Sequence, residues 1–320
     1  MKNLLAACVV VFSVVSAAYG DSYPDRPIRL IVPNPAGGGV DIIARLIGQP
    51  LAEKLGQPVV VENRSGAGGT IGLATLAKSP PDGYTLGVGV DATMAIAPSL
   101  YQNLPYNPAK DFAPITLVGA VPLVLTVNPV LPVRSVQELI AFAKAKPGKI
   151  DYSSGGNGTP PHLAGAVFNS MAGTRINHVP YKGGPPAIFA VVAGEVSLMF
   201  ANMLPALPQI QSGALRAIAV TSARRTPILP GVPTIAESGV PGYDISQWYG
   251  FVAPAGTPPT IVTRLSREIT QILDLPDVNK RLHAEGLEIS GASPEEFSAF
   301  ILKDIERWHK AVQESGTHLD

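Results

Sequence analysis

The sequence predicts an α/β fold. Short, branched, apolar runs alternate with segments patterned as helices, and glycine clusters mark many of the junctions between them. Such alternation implies parallel strands joined by crossovers on both faces of a sheet. At 320 residues the chain exceeds one ordinary core and suggests about two domains of ~150 residues each. A hydrophobic fraction of 46% supplies apolar surface for both, so the chain is not of the disordered class.

Charged residues make up 15% of the chain, 24 basic against 24 acidic. Nucleic-acid binders usually carry a basic excess, so this balance argues against that class. No polybasic run is available to hold an anionic membrane surface. Glycine and proline, 32 of each, stay below the ~25–30% that marks low complexity. The glycines therefore need a structural reason.

Residues 1–20 read as a separate object. Lys2 precedes an apolar run from Leu4 to Ala18, and small residues follow at Ser16-Ala17-Ala18 and Ala18-Tyr19-Gly20. This describes a secretory signal peptide. A membrane anchor would need ~20 apolar residues, and here polar Asp21, Asp25 and Arg26 follow at once. The only cysteine, Cys8, lies inside this segment, so the exported chain would have no disulfide and no thiolate ligand. Export without disulfides suits a bacterial periplasm.

Ile28 to Val32 is the first expected strand, ending in the loop Pro33-Asn34-Pro35-Ala36-Gly37-Gly38-Gly39. Val40, Ile43, Ala44, Ile47 and Leu51 then recur at three- and four-residue spacing, which builds one buried helix face. Val59 to Glu62 is a second strand, followed by Ser65-Gly66-Ala67-Gly68-Gly69-Thr70 and a weaker helix over Ile71–Ala77. Leu86–Val90 is a third strand. Another strand is expected over Val121–Val127, and Ser135–Ala145 is a helix whose Ser135 and Glu138 form a capping box.

The strand–glycine–helix unit then recurs. Ile150–Ser153 leads into Ser154-Gly155-Gly156-Asn157-Gly158-Thr159-Pro160-Pro161 and a helix over His162–Met171, with Thr159 as N-cap and Pro160 in the first turn. Val179–Lys182 leads into Gly183-Gly184 and a helix through Ala193. Strands follow at Val196–Phe200 and Leu215–Val220, then Trp248–Val252. Two helices are expected to close the chain, Thr260–Leu273 and Pro294–Gln313, the second capped by Ser293 with Glu296 three residues on.

The first N–H groups of a helix have no intrahelical partner, and the aligned peptides leave roughly half a positive charge there. A glycine turn lets that end approach a ligand closely, so it binds anions without arginine or lysine. Four such turns occur, at 34–39, 65–70, 153–159 and 182–184, two in each half of the chain. They point to a cleft where helix ends from two domains meet, beyond the carboxyl ends of the strands. Nucleotide motifs are absent: neither glycine loop completes the dinucleotide fingerprint, and Gly148-Lys149 is followed by Ile150. There is no Gly-x-Ser-x-Gly elbow, so Ser153 and Ser154 read as hydroxyl donors to a ligand and not as nucleophiles. The five histidines show no metal-ligand spacing. Several residues keep two readings at this level. Asp41 favours the helix dipole or anchors the loop and a water. His162 touches the cleft or packs beside it. Tyr181 and Lys182 line the cleft or lie on the surface, and Trp248 and Tyr249 flank a ligand or belong to the core.

The order of motifs carries a further signal. Tyr23-Pro-Asp-Arg-Pro27, the Pro33–Asp41 loop and Val61-Glu-Asn-Arg-Ser-Gly-Ala-Gly-Gly69 are followed by Pro80-Pro-Asp-Gly-Tyr-Thr-Leu86. Ser153–His162, His178-Val-Pro-Tyr-Lys-Gly183, Pro233-Thr234 and Trp248-Tyr-Gly-Phe-Val-Ala-Pro-Ala-Gly-Thr-Pro258 complete the series. Over essentially the whole exported chain this resembles the Bug family of periplasmic solute-binding proteins, the receptors of tripartite tricarboxylate transporters.

The resemblance implies a type II periplasmic-binding-protein fold, two α/β domains around a cleft in the Venus flytrap manner. Crossings near 122–127 and 245–252 would divide the chain into a discontinuous domain 1 (21–124 and 246–320) and a domain 2 (125–245). It further implies a receptor and not an enzyme, without cofactor or metal. The ligand would be a small di- or tricarboxylate or aromatic acid, and the partners the membrane subunits of such a transporter. A monomer is expected. A sensing role toward a histidine kinase, and more remotely a secreted hydrolase, are the alternatives. Ligand contacts are expected from Asn34, Ala36, Gly37, Gly38 and Asp41 in the first loop, and from Ala67 and Gly68 opposite. Ser153, Ser154, Asn157, Gly158, Thr159, His162 and Tyr181 would contribute from domain 2. Two departures concern the far end of the ligand. Asp91-Ala-Thr-Met94 replaces a hydroxyl-rich stretch with histidine, so Met94 would give an apolar wall or Asp91 a different polar contact. Ala201 stands where an acidic residue is common, which counts against an amino-acid ligand.

Overall fold

The computed structural model describes residues 23–315. The expected signal peptide and Cys8 lie outside them. Strand β1 (Ile28–Val32) leads to α1 (Gly39–Leu55), β2 (Val59–Asn63), α2 (Thr70–Ala77) and β3 (Thr85–Val90). A π-helical stretch, Ala92–Ile96, runs into the short α3 (Ala97–Leu100). Then come β4 (Phe112–Val127), α4 (Val136–Ala145), β5 (Asp151–Ser154), α5 (Pro160–Ala172), β6 (Asn177–Pro180) and α6 (Gly184–Ala193). The remainder is β7 (Leu198–Asn202), α7 (Met203–Gln211), β8 (Arg216–Val220), β9 (Ser246–Pro254), α8 (Pro259–Leu273), α9 (Pro276–Ala284), β10 (Glu288–Ala292) and α10 (Pro294–Ser315).

The strands are ordered β2-β1-β3-β9-β4-β7-β5-β6, with β8 and β10 also paired to β4. β1 pairs in parallel with β2 and β3, and β5 with β6 and β7, as the alternating pattern requires. The long strand β4 is the spine. Its first part, Phe112–Pro122, pairs antiparallel with β9 and its last part, Leu123–Val127, with β7. The partner exchange falls between Pro122 and Leu123.

Side chains alternate across this sheet and feed two cores. Leu30 and Val32 pack with Ile43, Ala44 and Ile47 of α1 on one face, whereas Ile31 packs on the other. Along β4, Val118, Val121 and Val124 join the first core and Leu123, Leu125 and Val127 the second. Both expected capping bonds form: Glu138 N–H donates to Ser135 Oγ, and Glu296 N–H to Ser293 Oγ. The reciprocal bond is made at Ser293, whereas Glu138 reaches the N–H of Arg134, one residue before its cap.

Four differences from the sequence reading stand out. β4 extends nine residues before Val121 because Pro114 is accommodated beside a register shift against β9, and Pro122 takes the last β9 pair where the strand changes partner, so the prolines did not end the strand. α9 and β10 lie between the two closing helices. α9 is polar over most of its surface and buries only Val278 and Leu282, a pattern too weak to stand out. Third, α7 carries Pro208 and was not anticipated. Lastly, β7 sits two residues later than expected, so that Asn202 ends it.

Candidate functional site

A cavity of about 530 Å³ opens at the carboxyl ends of the parallel strands. Pro33, Asn34, Pro35 and Val40 reach it from the β1–α1 connection, and Ser65, Gly66, Gly68 and Gly69 from the β2–α2 connection. Val90, Asp91, Ala92, Leu100 and Tyr101 follow β3. From the β5–α5 and β6–α6 connections and the end of β7 come Gly155, Asn157, Gly158, Thr159, Pro160 and Pro161, with Gly183, Gly184 and Asn202. Gln247 and Tyr249 of β9 complete the wall. All four glycine turns anticipated from the sequence thus border one space. Its volume is in the range of small-molecule sites, roughly 300–1,000 Å³.

Of the expected contact residues, Asn34, Gly68, Asn157, Gly158 and Thr159 border the cavity. The others surround or support it. Ala36 and Gly37 are exposed on the rim of the first loop, with Gly38 behind them. Asp41 is buried and takes the loop-anchoring role: its Oδ2 accepts from Gly37 N–H at 2.8 Å, and its carboxylate also receives Arg45 and Asn63. Burial alone would raise the Asp41 pKa, but the hydrogen bonds from Arg45, Gly37 and Asn63 outweigh it and hold the carboxyl below its usual range. Ala67 accepts from Tyr101 Oη and Thr70 Oγ1 through its carbonyl.

Ser153 and Ser154 correct the expectation of hydroxyls facing a ligand. Both are fully buried. Ser153 Oγ donates to Ala187 O, and Ser154 Oγ lies 2.6 Å from His178 Nε2 and receives Gly156 N–H. They hold the loop from below. His162 does the same: its Nδ1 accepts from Gly158 N–H at 3.0 Å, and its ring stacks on that of His178 at 3.9 Å. Burial lowers the His162 pKa to about 4, and burial together with the neighbouring His162 lowers that of His178 to about 4, so both are neutral at pH 7. Tyr181 is half-buried, and its N–H donates to Ser154 O. Lys182 is exposed.

Thr159 occupies the N-cap of α5, yet its hydroxyl donates to Gly156 O at 2.7 Å and makes no bond to the helix. Pro160 and Pro161 fill the first two helical positions, so of the two amides a cap can meet only that of His162 exists. α6 repeats this with Pro185 and Pro186 after Gly184. By contrast the first turn of α1 keeps the N–H groups of Gly39, Val40 and Asp41, none of which has an intrahelical acceptor. Two glycines are dictated by space. A Cβ on Gly155 would stand 3.1 Å from the backbone of Gly183 and Gly184, and one on Gly69, at φ +95°, would stand 2.8 Å from Thr93. The loops can approach one another only with glycine there.

Sequence reasoning missed Gln247, Asn202 and Tyr101. The first two are polar residues in or at the end of otherwise apolar strands, a signal that was available. Strand alternation also separates a pair that the sequence left together: Tyr249 faces the cavity, whereas Trp248 is buried in the core and donates its indole N–H to Asp304. Met94 is fully buried in the core, so the far wall is shaped by Asp91. No lysine, arginine or histidine lines the cavity. Among the described residues no group of three His, Cys, Asp or Glu could hold a metal, and no helix is long and apolar enough to cross a membrane.

Comparison with known proteins fixes the context of this cleft. Residues 43–317 match the tripartite tricarboxylate transporter family receptor. The chain belongs to that receptor family. Protein BugT of Bordetella pertussis is 40% identical, over 100% of this chain and 99% of its own. Among solved structures, Rpa4515 of R. palustris with adipate gives a TM-score of 0.84 at 38% identity, covering 93% of this chain and 100% of that one. The periplasmic binding protein BugD gives 0.79 at 35%, with 93% and 100% covered. MatC from Rhodopseudomonas palustris with bound malate gives 0.80 at 32%, covering 91% and 100%. The receptor is therefore of the two-domain α/β type built around a cleft, and its family is one of solute-binding proteins, not of enzymes.

Proposed function

We propose that this receptor captures a small carboxylate in the cavity and presents it to the membrane subunits of a tripartite tricarboxylate transporter. The observation that carries this reading is the convergence of four glycine turns, two after β1 and β2 and two at β5 and β6, on one cleft free of basic side chains. Relatives with adipate and with malate support the ligand class. The carboxylate would be met by the N–H groups that open α1 and by Asn157 opposite, each charge-assisted bond contributing about 1.5–3 kcal/mol. Asp41, Ser153, Ser154 and His162 would act by holding those loops.

The exchange of β4 partners between Pro122 and Leu123, and the start of β9 at Ser246, support domains of 21–124 with 246–320 and of 125–245. A ligand bridging both would stabilise a closed arrangement through contacts that an open one lacks. The periplasm is the proposed location, with residues 1–20 as the export signal. Thermal-shift and calorimetric screening of the purified receptor against aliphatic and aromatic carboxylates, amines and sugars tests the reading. Carboxylates should raise the melting temperature, and a response to sugars or simple amines alone would overturn it.

A further inference from the structure

Asp91 is 2% exposed, borders the cavity, and leaves its Oδ2 without a hydrogen-bond partner. Asn34 and Asn202 each leave a buried side-chain oxygen unpartnered as well, and both border the same cavity. A buried polar atom left unmet costs about 1–3 kcal/mol, more if charged. Such atoms gathered around one cavity are the mark of contacts completed by a ligand. The wall carries an acid and no basic side chain. In its ionised form that acid would repel a plain carboxylate guest and attract a cationic group.

Resting on the carboxylate reading above, we propose that the ligand also bears an ammonium group, received by Asp91 with Asn202 beside it, so that the receptor selects an amino carboxylate. The two ends of the cleft then differ in sign. The amides opening α1 receive the carboxylate, and the unpartnered Oδ2 of Asp91 after β3 receives the cation. This reverses the inference drawn from Ala201, which is fully buried and does not border the cavity, whereas Asp91 does.

The surroundings of Asp91 leave that role open to a ligand alone. The titratable and charged groups facing it are Asp304 and Arg307 of α10 and Tyr249 of β9. The packed faces of β3, α3 and the Ala67–Gly69 turn bring none. Arg307 is already paired with Asp304 and bonded to Asp244 O. Burial, reinforced by Asp304, raises the Asp91 pKa to about 8 in the free receptor. An arriving ammonium would favour the ionised form and displace the proton, so affinity should rise with pH up to about 8.

The test uses matched probes and isothermal titration calorimetry: succinate against aspartate, glutarate against glutamate, adipate against 2-aminoadipate, and butyrate against 4-aminobutyrate. At least one amino member should bind tenfold or more tightly than its deaminated partner, and Asp91→Asn should abolish that preference. Should the variant fold poorly, the wild-type receptor provides a second reading. Near pH 7 its binding of the preferred amino acid should release close to one proton, measured by titration in phosphate and in Tris. Preference for the deaminated acids, with proton uptake or none, would overturn the proposal while leaving carboxylate capture intact. Binding of no member of any pair would overturn both.

Discussion

Lowering the pH should weaken this receptor through His162, and the structure sets the size of the effect. The imidazole is buried, it accepts Gly158 N–H through Nδ1, and its ring lies on that of His178. An imidazolium has no lone pair for Gly158, so the folded state resists protonation and its pKa falls to about 4, against an ordinary value near 6.5. Because the folded value is the lower one, the contribution to stability is complete above pH ~6.5 and is lost as the pH falls toward ~4. At pH 5 the loss from this one group is about 2 kcal/mol. Asp91 works in the opposite sense, since its raised pKa means that its contribution is present at low pH and lost as pH rises toward about 8. The raw pH profile of the wild-type receptor therefore mixes both with His178, whose pKa is lowered by burial as well. His162→Gln isolates the first, because a glutamine carbonyl can accept from Gly158 but does not titrate. Urea denaturation at pH 7.5 and 5.0 should show the wild type losing about 2 kcal/mol more than the variant. Equal losses in the two proteins would refute the account of a neutral imidazole holding the 155–160 loop.

Three further outcomes follow from particular contacts. Ser135→Ala removes the hydroxyl that accepts Glu138 N–H and should cost about 1 kcal/mol in denaturant titration without altering carboxylate affinity. Gly119→Ala would place a Cβ 2.3 Å from the carbonyl oxygen of Glu288, a backbone atom that cannot swing aside, so β10 must separate from β4 and stability should drop by about 2 kcal/mol or more. Asp41→Ala frees Gly37 N–H and Asn63 from their common acceptor, and calorimetry should show about tenfold weaker binding of the tightest carboxylate in the screen, with less effect on unfolding than Gly119→Ala.

Much of the fold was legible because the parallel units announce themselves. Ile28–Val32, Val59–Glu62 and Leu86–Val90 are branched apolar runs, and each pairs in the arrangement their alternation with helices implies. The crossing was harder to read. In β4 two prolines interrupt a single strand whose two ends serve different partners, and no local pattern reports a change of neighbour. At the site, glycine turns were visible as turns, but the side chains beneath them were not. Ser153 and Ser154 end β5 and His162 opens α5, flanking a loop that looks ligand-facing in one dimension, and only the positions of Ala187, His178 and Gly158 show that their polar atoms are already engaged. Asp91 was noticed as a departure from the family pattern. That it lacks a partner is a property of three-dimensional packing alone.

The two sides of the cleft consequently offer a ligand different kinds of positive potential. α1 opens with three amides and a flexible glycine approach, so it can give both field and hydrogen bonds. α5 and α6 open with proline pairs, which preserve the direction of the peptide dipoles while deleting the donors that would otherwise point into the cavity. Hydrogen bonding on that side must come from Asn157 and from the amides of Gly155 and Gly184, since the Thr159 hydroxyl is engaged with Gly156 O. A mobile anion bound first at α1 would feel the field of α5 before it could bond there. Closure would then be governed by how well the second loop is held in place. That is the part of the site where the buried serine–histidine stack is found, which gives a physical reason for so much polar structure beneath a loop that contributes so few side-chain donors to the cavity wall.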